Sequence, residues 1–311
     1  MAMSDGKRAS IGALGLVLLL AAGVAIGQNI GQNTGQNTDQ SVGQGTGESS
    51  GDSAAASACA RSVIYSYPVF NRRGEHMRDA PIWQVPGSDA FFFVAGMTID
   101  ADGSPNAYHP DNIGLDDLRN AGEPGHWDGI ITDGNGEPLT QGPDDPFPGY
   151  YVSCTSLSDR SKRPSDPTRY VDASKIPYVV LPREVAEQGG AQLGDFAFVI
   201  NLRNGKSSYA IFADVGTLGE GSIALADNLG IASDARRGGS RGRILYLLFP
   251  KSGNRQPRTV EEIYSETDKL LQNWGGTSKA TACSDEEPLA AGTPGATAKP
   301  TSEGQASAAS N

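Results

Sequence analysis

The stretch from Tyr209 to Gly230 changes its pattern of apolar and polar residues twice. It begins with alternating apolar residues, which predict a β-strand. It ends with a short amphipathic segment that Ser222 precedes and a glycine follows, which predicts a capped helix. Two carboxylates, Asp214 and Glu220, lie between them in a glycine-rich turn. The pattern therefore predicts that both acids are presented where a strand ends.

Apolar runs along the rest of the chain predict further strands, separated by loops rich in Gly, Pro, Asp and Asn. Asn204-Gly205 predicts a hairpin between two of these strands. Thr259 and Glu262 form a capping-box pattern at the start of a long amphipathic helix that extends to Trp274. The predicted strands are 62–70, 82–85, 90–95, 150–155, 178–181, 194–202, 207–213 and 243–249.

The composition favours the same architecture. Of the 311 residues, 40 are Gly and 19 are Pro, while 38% are hydrophobic. Such frequent Gly and Pro are typical of a loop-rich β protein rather than a helical bundle. We therefore expect a mainly β domain with a few helices.

The two ends of the chain differ from its middle. Lys7 and Arg8 precede a short apolar run, which predicts a signal peptide over 1–27 and a secreted protein, extracellular or periplasmic. The alternative, an uncleaved anchor helix, would need about 20 apolar residues. Residues 28–57 and 284–311 are small or polar, so we expect a disordered linker and a disordered tail. The folded domain is then expected at 58–283, with no stable membrane anchor after cleavage.

The chain contains three cysteines, of which Cys59 and Cys283 lie at the two ends of the expected domain. In an oxidising compartment these two could join the ends of the domain, leaving Cys154 unpaired. The sequence alone does not decide which cysteines pair, and three reduced thiols remain an alternative.

The chain carries a formal net charge of −11 and has a pI of about 4.8. Nucleic acid is an unsuitable partner, because affinity for it comes mainly from neutralising phosphates. The charge suits a cationic partner, although solubility alone also explains it.

Most common catalytic patterns are missing or out of context. A Gly-x-Ser-x-Gly match at 238–242 is followed by a strand, and no histidine occurs after His126 to serve it or Cys154. We find no phosphate loop, no dinucleotide fingerprint and no cysteine and histidine cluster, and the Asp100-x-Asp102-Gly turn lacks the later ligands of a calcium loop. We therefore expect no metal or cofactor, which leaves carboxylates as the candidate chemistry. From spacing alone, a solvated charged pair remains an alternative.

A long loop separates two similar segments, 96–105 and 129–138, each predicted as a strand that runs into an Asp/Asn-Gly turn. Long loops in compact domains are usually functional. Aromatic rings and carboxylates together suit the binding of a sugar. The residues that we expect in a substrate cleft are Asp100, Asp102, Tyr108, His109, Trp127 and Asp133.

The stretch that contains Asp214-Val-Gly216 and Gly219-Glu220-Gly221-Ser222 resembles the fungal and bacterial chitosanases of glycoside hydrolase family seventy-five. The resemblance covers most of residues 60 to 250. It implies that Asp214 and Glu220 are the essential acids of a catalytic domain that hydrolyses chitosan. The turn between the acids is shorter here than is usual in that family.

The same stretch resembles the double-psi β-barrel pattern that lytic transglycosylases and septal peptidoglycan-cleaving proteins share. This resemblance implies a six-stranded, double-psi-like β-barrel with long loop insertions. In those relatives the second acid tends to donate the proton, so it implies Glu220 as general acid and Asp214 as general base.

The leading hypothesis is a secreted, monomeric chitosanase that cleaves β-1,4 glucosamine linkages inside the chain by an inverting mechanism. Its partner would be the cationic polysaccharide chitosan. The first alternative is an enzyme that cleaves the glycan strands of peptidoglycan in the cell wall. The second is a catalytically silent polysaccharide-binding module, which the short turn between the acids allows.

Overall fold

A computed structural model of the chain describes residues 59–70 and 73–285. The predicted signal peptide, the linker and nearly all of the predicted tail lie outside the described residues and remain predictions. No helix in the described ranges is long and apolar enough to cross a membrane.

The described residues form ten strands, four α-helices and two short 3₁₀ helices, at Leu118–Asn120 and Pro167–Arg169. The strands are β1 (Ser62–Phe70), β2 (His76–Gln84), β3 (Phe91–Asp100), β4 (Gly122–Glu123), β5 (His126–Trp127), β6 (Tyr178–Leu181), β7 (Phe196–Asn201), β8 (Ser207–Val215), β9 (Glu220–Ser222) and β10 (Ser240–Phe249). The helices are α1 (Arg183–Gly189), α2 (Ile223–Asn228), α3 (Val260–Trp274) and α4 (Gly276–Asp285).

Six strands close into a barrel in the order β3, β10, β7, β8, β6 and β9, and β9 pairs with β3 to complete the ring. The barrel is mixed, because β6 pairs with β8 and β3 pairs with β9 in parallel, whereas the other pairs are antiparallel. Strands β1 and β2 extend the sheet outside the ring. The predicted mainly β fold with a six-stranded barrel is confirmed.

Alternating side chains of the barrel strands divide the core into an inner and an outer part. Phe93 and Tyr246 stack inside the barrel with their ring centroids 4.8 Å apart, and both are fully buried. On the outside, Phe198 packs in a second cluster that includes Leu271 and Trp274 of α3. The continuous apolar runs of the sequence are therefore buried on both faces, as in a sheet covered by a helix.

The local signals in the sequence are confirmed. Asn204-Gly205 joins antiparallel β7 and β8, and Gly205 has a φ of 73°. Ser222 caps α2 by accepting a hydrogen bond from the amide of Leu225, and Thr259 forms the capping box of α3 with Glu262. Each of these contacts lies within a few residues along the chain, which is why the sequence alone predicts it.

The predicted strand at 150–155 is wrong. This segment lies in the long insertion between β3 and β6, and it makes only single bridges, such as Thr140 to Tyr151 and Ile130 to Ser153. The second of the two similar segments also forms only a bridged turn, from Thr132 to Pro138. A short apolar run without a neighbouring strand of matching length cannot build a continuous ladder. Helices α1 and α4 were not predicted.

Cys59 and Cys283 form a disulfide, which confirms the pairing of the domain ends. Cys154 is a free thiol. Its Sγ lies 3.4 Å from the carbonyl oxygen of Asp128.

Candidate active site

The barrel places Asp214 and Glu220 on either side of one strand. In β6, Val180 pairs with Asp214 of β8 and with Glu220 of β9. Two strand spacings separate the backbones of the acids by about 9 to 10 Å. The short turn between the acids thus crosses the end of β6. Asp214 and Glu220 therefore lie near each other, although they belong to different strands.

The carboxylate of Asp214 is held by three hydrogen bonds. The amide and the hydroxyl of Ser156 donate to Oδ1 at 3.0 and 2.5 Å, and the amide of Val215 donates at 2.8 Å. Burial raises the pKa of Asp214, while these three donors lower it because they stabilise the charged form. Asp214 is therefore a buried acid whose ionised form has dedicated partners.

Glu220 has a different environment. Its carboxylate accepts one hydrogen bond, from the amide of Thr217 in the turn, at 3.1 Å. Burial raises the pKa of Glu220 to about 7, and the neighbouring charges of Asp214 and Asp116 also raise it. Below about pH 7, Glu220 therefore carries a proton that it can donate.

Two glycines of the turn between the acids lie where a side chain would be crowded. Gly219 has a φ of 81°, and a Cβ there would lie 2.8 Å from Ala95 Cβ. Gly216 has an ordinary φ, but a Cβ there would lie 3.1 Å from Glu220 Oε2 and 3.0 Å from a methyl group of Val180. The carboxylate of Glu220 is thus in contact with the backbone of the turn at Gly216 and Thr217.

We expect Gly216→Ala to displace the Glu220 carboxylate and to lower any kcat that depends on it by about tenfold, because a shift of a few tenths of an ångström in a reacting group is costly. The melting temperature should change little, since the backbone conformation at Gly216 tolerates alanine. The control is Gly134→Ala, whose Cβ would meet nothing within 4 Å. Equal loss of activity in both variants would contradict the role of Gly216.

Asp100 and Asp102 lie beside this pair, at the end of β3 and just after it. Asp100 pairs with Ser222 of β9, and its carboxylate accepts a hydrogen bond from the Asp102 amide at 2.8 Å. The hydroxyl of Tyr108 donates to Asp102 Oδ1 at 2.6 Å. Burial raises the pKa of both acids well above the ordinary value, and the charges of Asp214 and Glu220 raise it further. Four carboxylates therefore act on one another in one buried place.

The other predicted substrate residues are placed differently. Tyr108 is buried and reaches the acids through Asp102. His109 packs edge-on against Tyr150 with ring centroids 4.7 Å apart, and Trp127 lies 6.4 Å from the ring of Tyr151.

Asp133 is not brought to the four acids. Its carboxylate accepts hydrogen bonds from the amides of Asn135 and Glu137 and so closes its own exposed turn. In both similar segments, a backbone amide donates to the aspartate two positions before it, from Asn135 to Asp133 and from Asp102 to Asp100. This shared turn explains why the two segments resemble each other.

Three residues of this region were missed by the sequence analysis. Ser156 holds Asp214, and the hydroxyl of Tyr178 donates to the carbonyl oxygen of Asp102 at 3.1 Å. Asp116 is buried, and its charge acts on Glu220. All three lie far along the chain from the acids that they affect, and no local pattern marks them. Within the described ranges, no group of three or more His, Cys, Asp or Glu is arranged to hold a metal ion.

A buried acid with dedicated donors beside an acid that keeps its proton is the arrangement of a glycoside hydrolase. The family model described as fungal chitosanase of glycosyl hydrolase group 75 matches residues 132–273, which include Asp214 and Glu220. This match supports the resemblance to a glycoside hydrolase of the chitosanase family, and with it an enzyme whose substrate class is polysaccharide. The match leaves out β1 to β5, and therefore Asp100, Asp102, Tyr108, His109 and Trp127. No curated protein matches the chain.

Proposed function

We propose that this enzyme is a secreted chitosanase that cleaves internal β-1,4 linkages of glucosamine chains with inversion at the anomeric carbon. Glu220 protonates the leaving oxygen, and Asp214 activates the attacking water. The proposal rests on the family and on one observation that carries the assignment of roles: the unequal environments of the two acids.

The difference between the acids decides which one is the general acid. Glu220 has a single backbone donor and a pKa of about 7, so it carries the proton. Asp214 has three donors that favour its ionised form, so it can accept a proton from water. An acid and a base that differ in environment are the usual way in which a pair of carboxylates divides this work.

The spacing of the pair supports inversion. Carboxyl groups in inverting enzymes stand roughly 6.5 to 9.5 Å apart and leave room for water, whereas those in retaining enzymes stand about 5 Å apart. Because β6 lies between the backbones of Asp214 and Glu220, their positions favour the wider arrangement. Glycine in the turn lets a short connection span that width.

The charge around the pair supports an amino sugar as the substrate. Asp100 and Asp102, whose raised pKa favours the neutral form, add two carboxyl groups beside Asp214 and Glu220, and the whole chain carries a net charge of −11. The protonated amines of chitosan would be attracted to this field and would ease the repulsion among the acids. Secretion is supported by the disulfide, which forms in oxidising compartments. We expect a monomer without a membrane anchor.

The mechanism is tested by the first product formed from chitosan. Proton NMR during early turnover should detect the α-anomer at the new reducing end, and the viscosity of long chitosan should fall before many ends are released. The β-anomer as first product would contradict inversion. Gradual loss of viscosity in proportion to released ends would contradict internal cleavage.

A second candidate function, cleavage of peptidoglycan glycan strands, is favoured by a separate cavity. It has a volume of about 240 Å³, and its wall contains Ser156, Arg160 and Arg255. Neither arginine forms an ion pair with another described residue. Guanidinium groups bind carboxylates, which muramic acid units carry and chitosan does not.

Incubation with purified peptidoglycan and with chitosan separates the candidates. Products from peptidoglycan alone would favour the second function. Tight binding of chitosan without products from either polymer would indicate a silent binding module.

A further inference from the structure

An aromatic group in the long insertion is joined to the acids but is not used by the mechanism. It consists of His109, Tyr150 and Phe147, whose rings meet edge to face in that order, with centroids 4.7 and 5.7 Å apart. His109 directly follows Tyr108, the residue that contacts Asp102. Phe147 lies at the far end of this aromatic group and is 39% exposed.

The loop that carries Phe147 is held from within by a buried amide. Gln141 is 3% exposed, and its side chain donates to the carbonyl oxygens of Pro105 and Tyr151 at 2.5 and 3.1 Å. Its carbonyl oxygen accepts a hydrogen bond from the amide of Phe147 at 3.1 Å. The backbone of Phe147 is thus held in place, and its ring packs against Tyr150 while it remains partly exposed. Little conformational entropy remains for it to lose on binding.

A cavity adjoins the same loop. Its volume is about 570 Å³, within the range of sites for small ligands. Asp145 and Pro146, the two residues before Phe147, form part of its wall. Other residues of the wall are Thr140, Asp144, Arg163 and Asp166. The cavity therefore combines hydrogen-bonding groups with an excess of carboxylates, and the segment that leads into Phe147 forms part of its wall.

We propose that Phe147 and this cavity bind a glucosamine unit of the same glycan, several units away from the bond that is cleaved. A pyranose ring offers apolar C–H faces and a protonated amine, and an aromatic ring attracts a nearby cation. The carboxylates of the wall suit the same amine, and the hydroxyl groups find donors and acceptors beside them. This inference rests on the proposed chitosanase function and adds a residue that selects long chains.

The test measures KM and kcat on long chitosan and on a short glucosamine oligomer. Phe147→Ala should raise KM for long chitosan about two- to fivefold, the range of one exposed cation–aromatic contact, with kcat unchanged. Values for the short oligomer should not change, because it does not reach the cavity. Phe147→Trp should retain the wild-type KM, which a merely structural role of phenylalanine would not explain.

Phe70→Ala is the matched control. Phe70 is also exposed, at 57%, and packs edge to face against a histidine, but it lies on β1 outside the barrel. An unchanged KM in Phe147→Ala, or an equal rise in Phe70→Ala, would overturn the inference. Binding of long chitosan by the Glu220→Gln variant, with and without Phe147→Ala, gives the same readout without turnover.

Failure of this inference is distinguishable from failure of the proposed function. If Phe147→Ala leaves KM unchanged while Glu220→Gln is inactive, only the additional binding position is wrong. If Glu220→Gln stays active, the proposed roles of the acids are wrong, whatever Phe147 does.

Discussion

Replacement of Glu220 by glutamine is expected to reduce kcat on chitosan by about 10²- to 10⁴-fold, the usual contribution of a general acid. Glutamine keeps the size of the side chain and its acceptor for the Thr217 amide, but it has no proton to give to the leaving oxygen. Binding should persist, because the side chain still fills the same space. The measurement is the release of reducing ends under saturating chitosan.

Asp214→Asn should cause a loss of similar size for the opposite reason. An amide cannot take a proton from water, although its oxygen can still accept the hydrogen bonds of Ser156 and Val215, which all reach Oδ1 of the carboxylate. Those hydrogen bonds lose the charge that strengthens them, so a modest fall in stability is also expected.

The pH dependence distinguishes the roles of the two acids. A general acid must be protonated, and the pKa of Glu220 is about 7, so activity should fall as the pH rises through that value. This alkaline limb should be missing from the residual activity of Glu220→Gln and present in that of Asp214→Asn. The reverse result would exchange the two roles.

Exposed acids provide the controls. Glu187→Gln on α1 and Asp89→Asn before β3 remove the same charges without touching the site. Both should retain full activity. Wild-type activity in Glu220→Gln and Asp214→Asn as well would exclude the carboxylate mechanism.

The acid pair could be predicted from the sequence because its support is local. The alternating run of β8, the glycine-rich turn and the Ser222 cap all lie within about two dozen residues of Asp214 and Glu220. Turn and cap preferences are properties of single residues and their nearest neighbours, so a sequence displays them directly.

What the sequence could not predict depends on contacts across the fold. Strand β9 is three residues long and exists because β3 and β6 pair with it on either side. The hydrogen bond from Ser156 to Asp214 joins residues that are 58 positions apart. The insertion between β3 and β6 is held together by hydrogen bonds of buried polar groups such as Gln141. A pattern of hydrophobic residues along the sequence does not predict such groups. The turn between Asp214 and Glu220 can be short because it only has to cross β6, which lies between the strands of the two acids.

Removal of the disulfide should have the largest effect on stability. Cys59 and Cys283 are 224 positions apart, and closing so long a loop in the unfolded chain is worth roughly 5 kcal/mol in the chain-entropy model. We expect Cys59→Ala/Cys283→Ala to lower the free energy of unfolding by about 2 to 5 kcal/mol. Alanine keeps both positions apolar, so no new polar group is buried. Urea unfolding at constant pH is the measurement.

The surroundings of the disulfide add to this loss. Both cysteines are buried in the outer core cluster beside Trp274, and Arg61 donates a hydrogen bond to the carbonyl oxygen of Cys283. Without the covalent link, α4 keeps these contacts, the buried Ala280 and a hydrogen bond from Arg243 of β10 to the carbonyl oxygen of Ser284. Cys154→Ala is the control, because that thiol is free and should change the free energy of unfolding by less than about 1 kcal/mol. Reduction with dithiothreitol should destabilise wild type and Cys154→Ala alike and leave the double variant unchanged. A double variant as stable as wild type would mean that α4 and the first strand are held by packing alone.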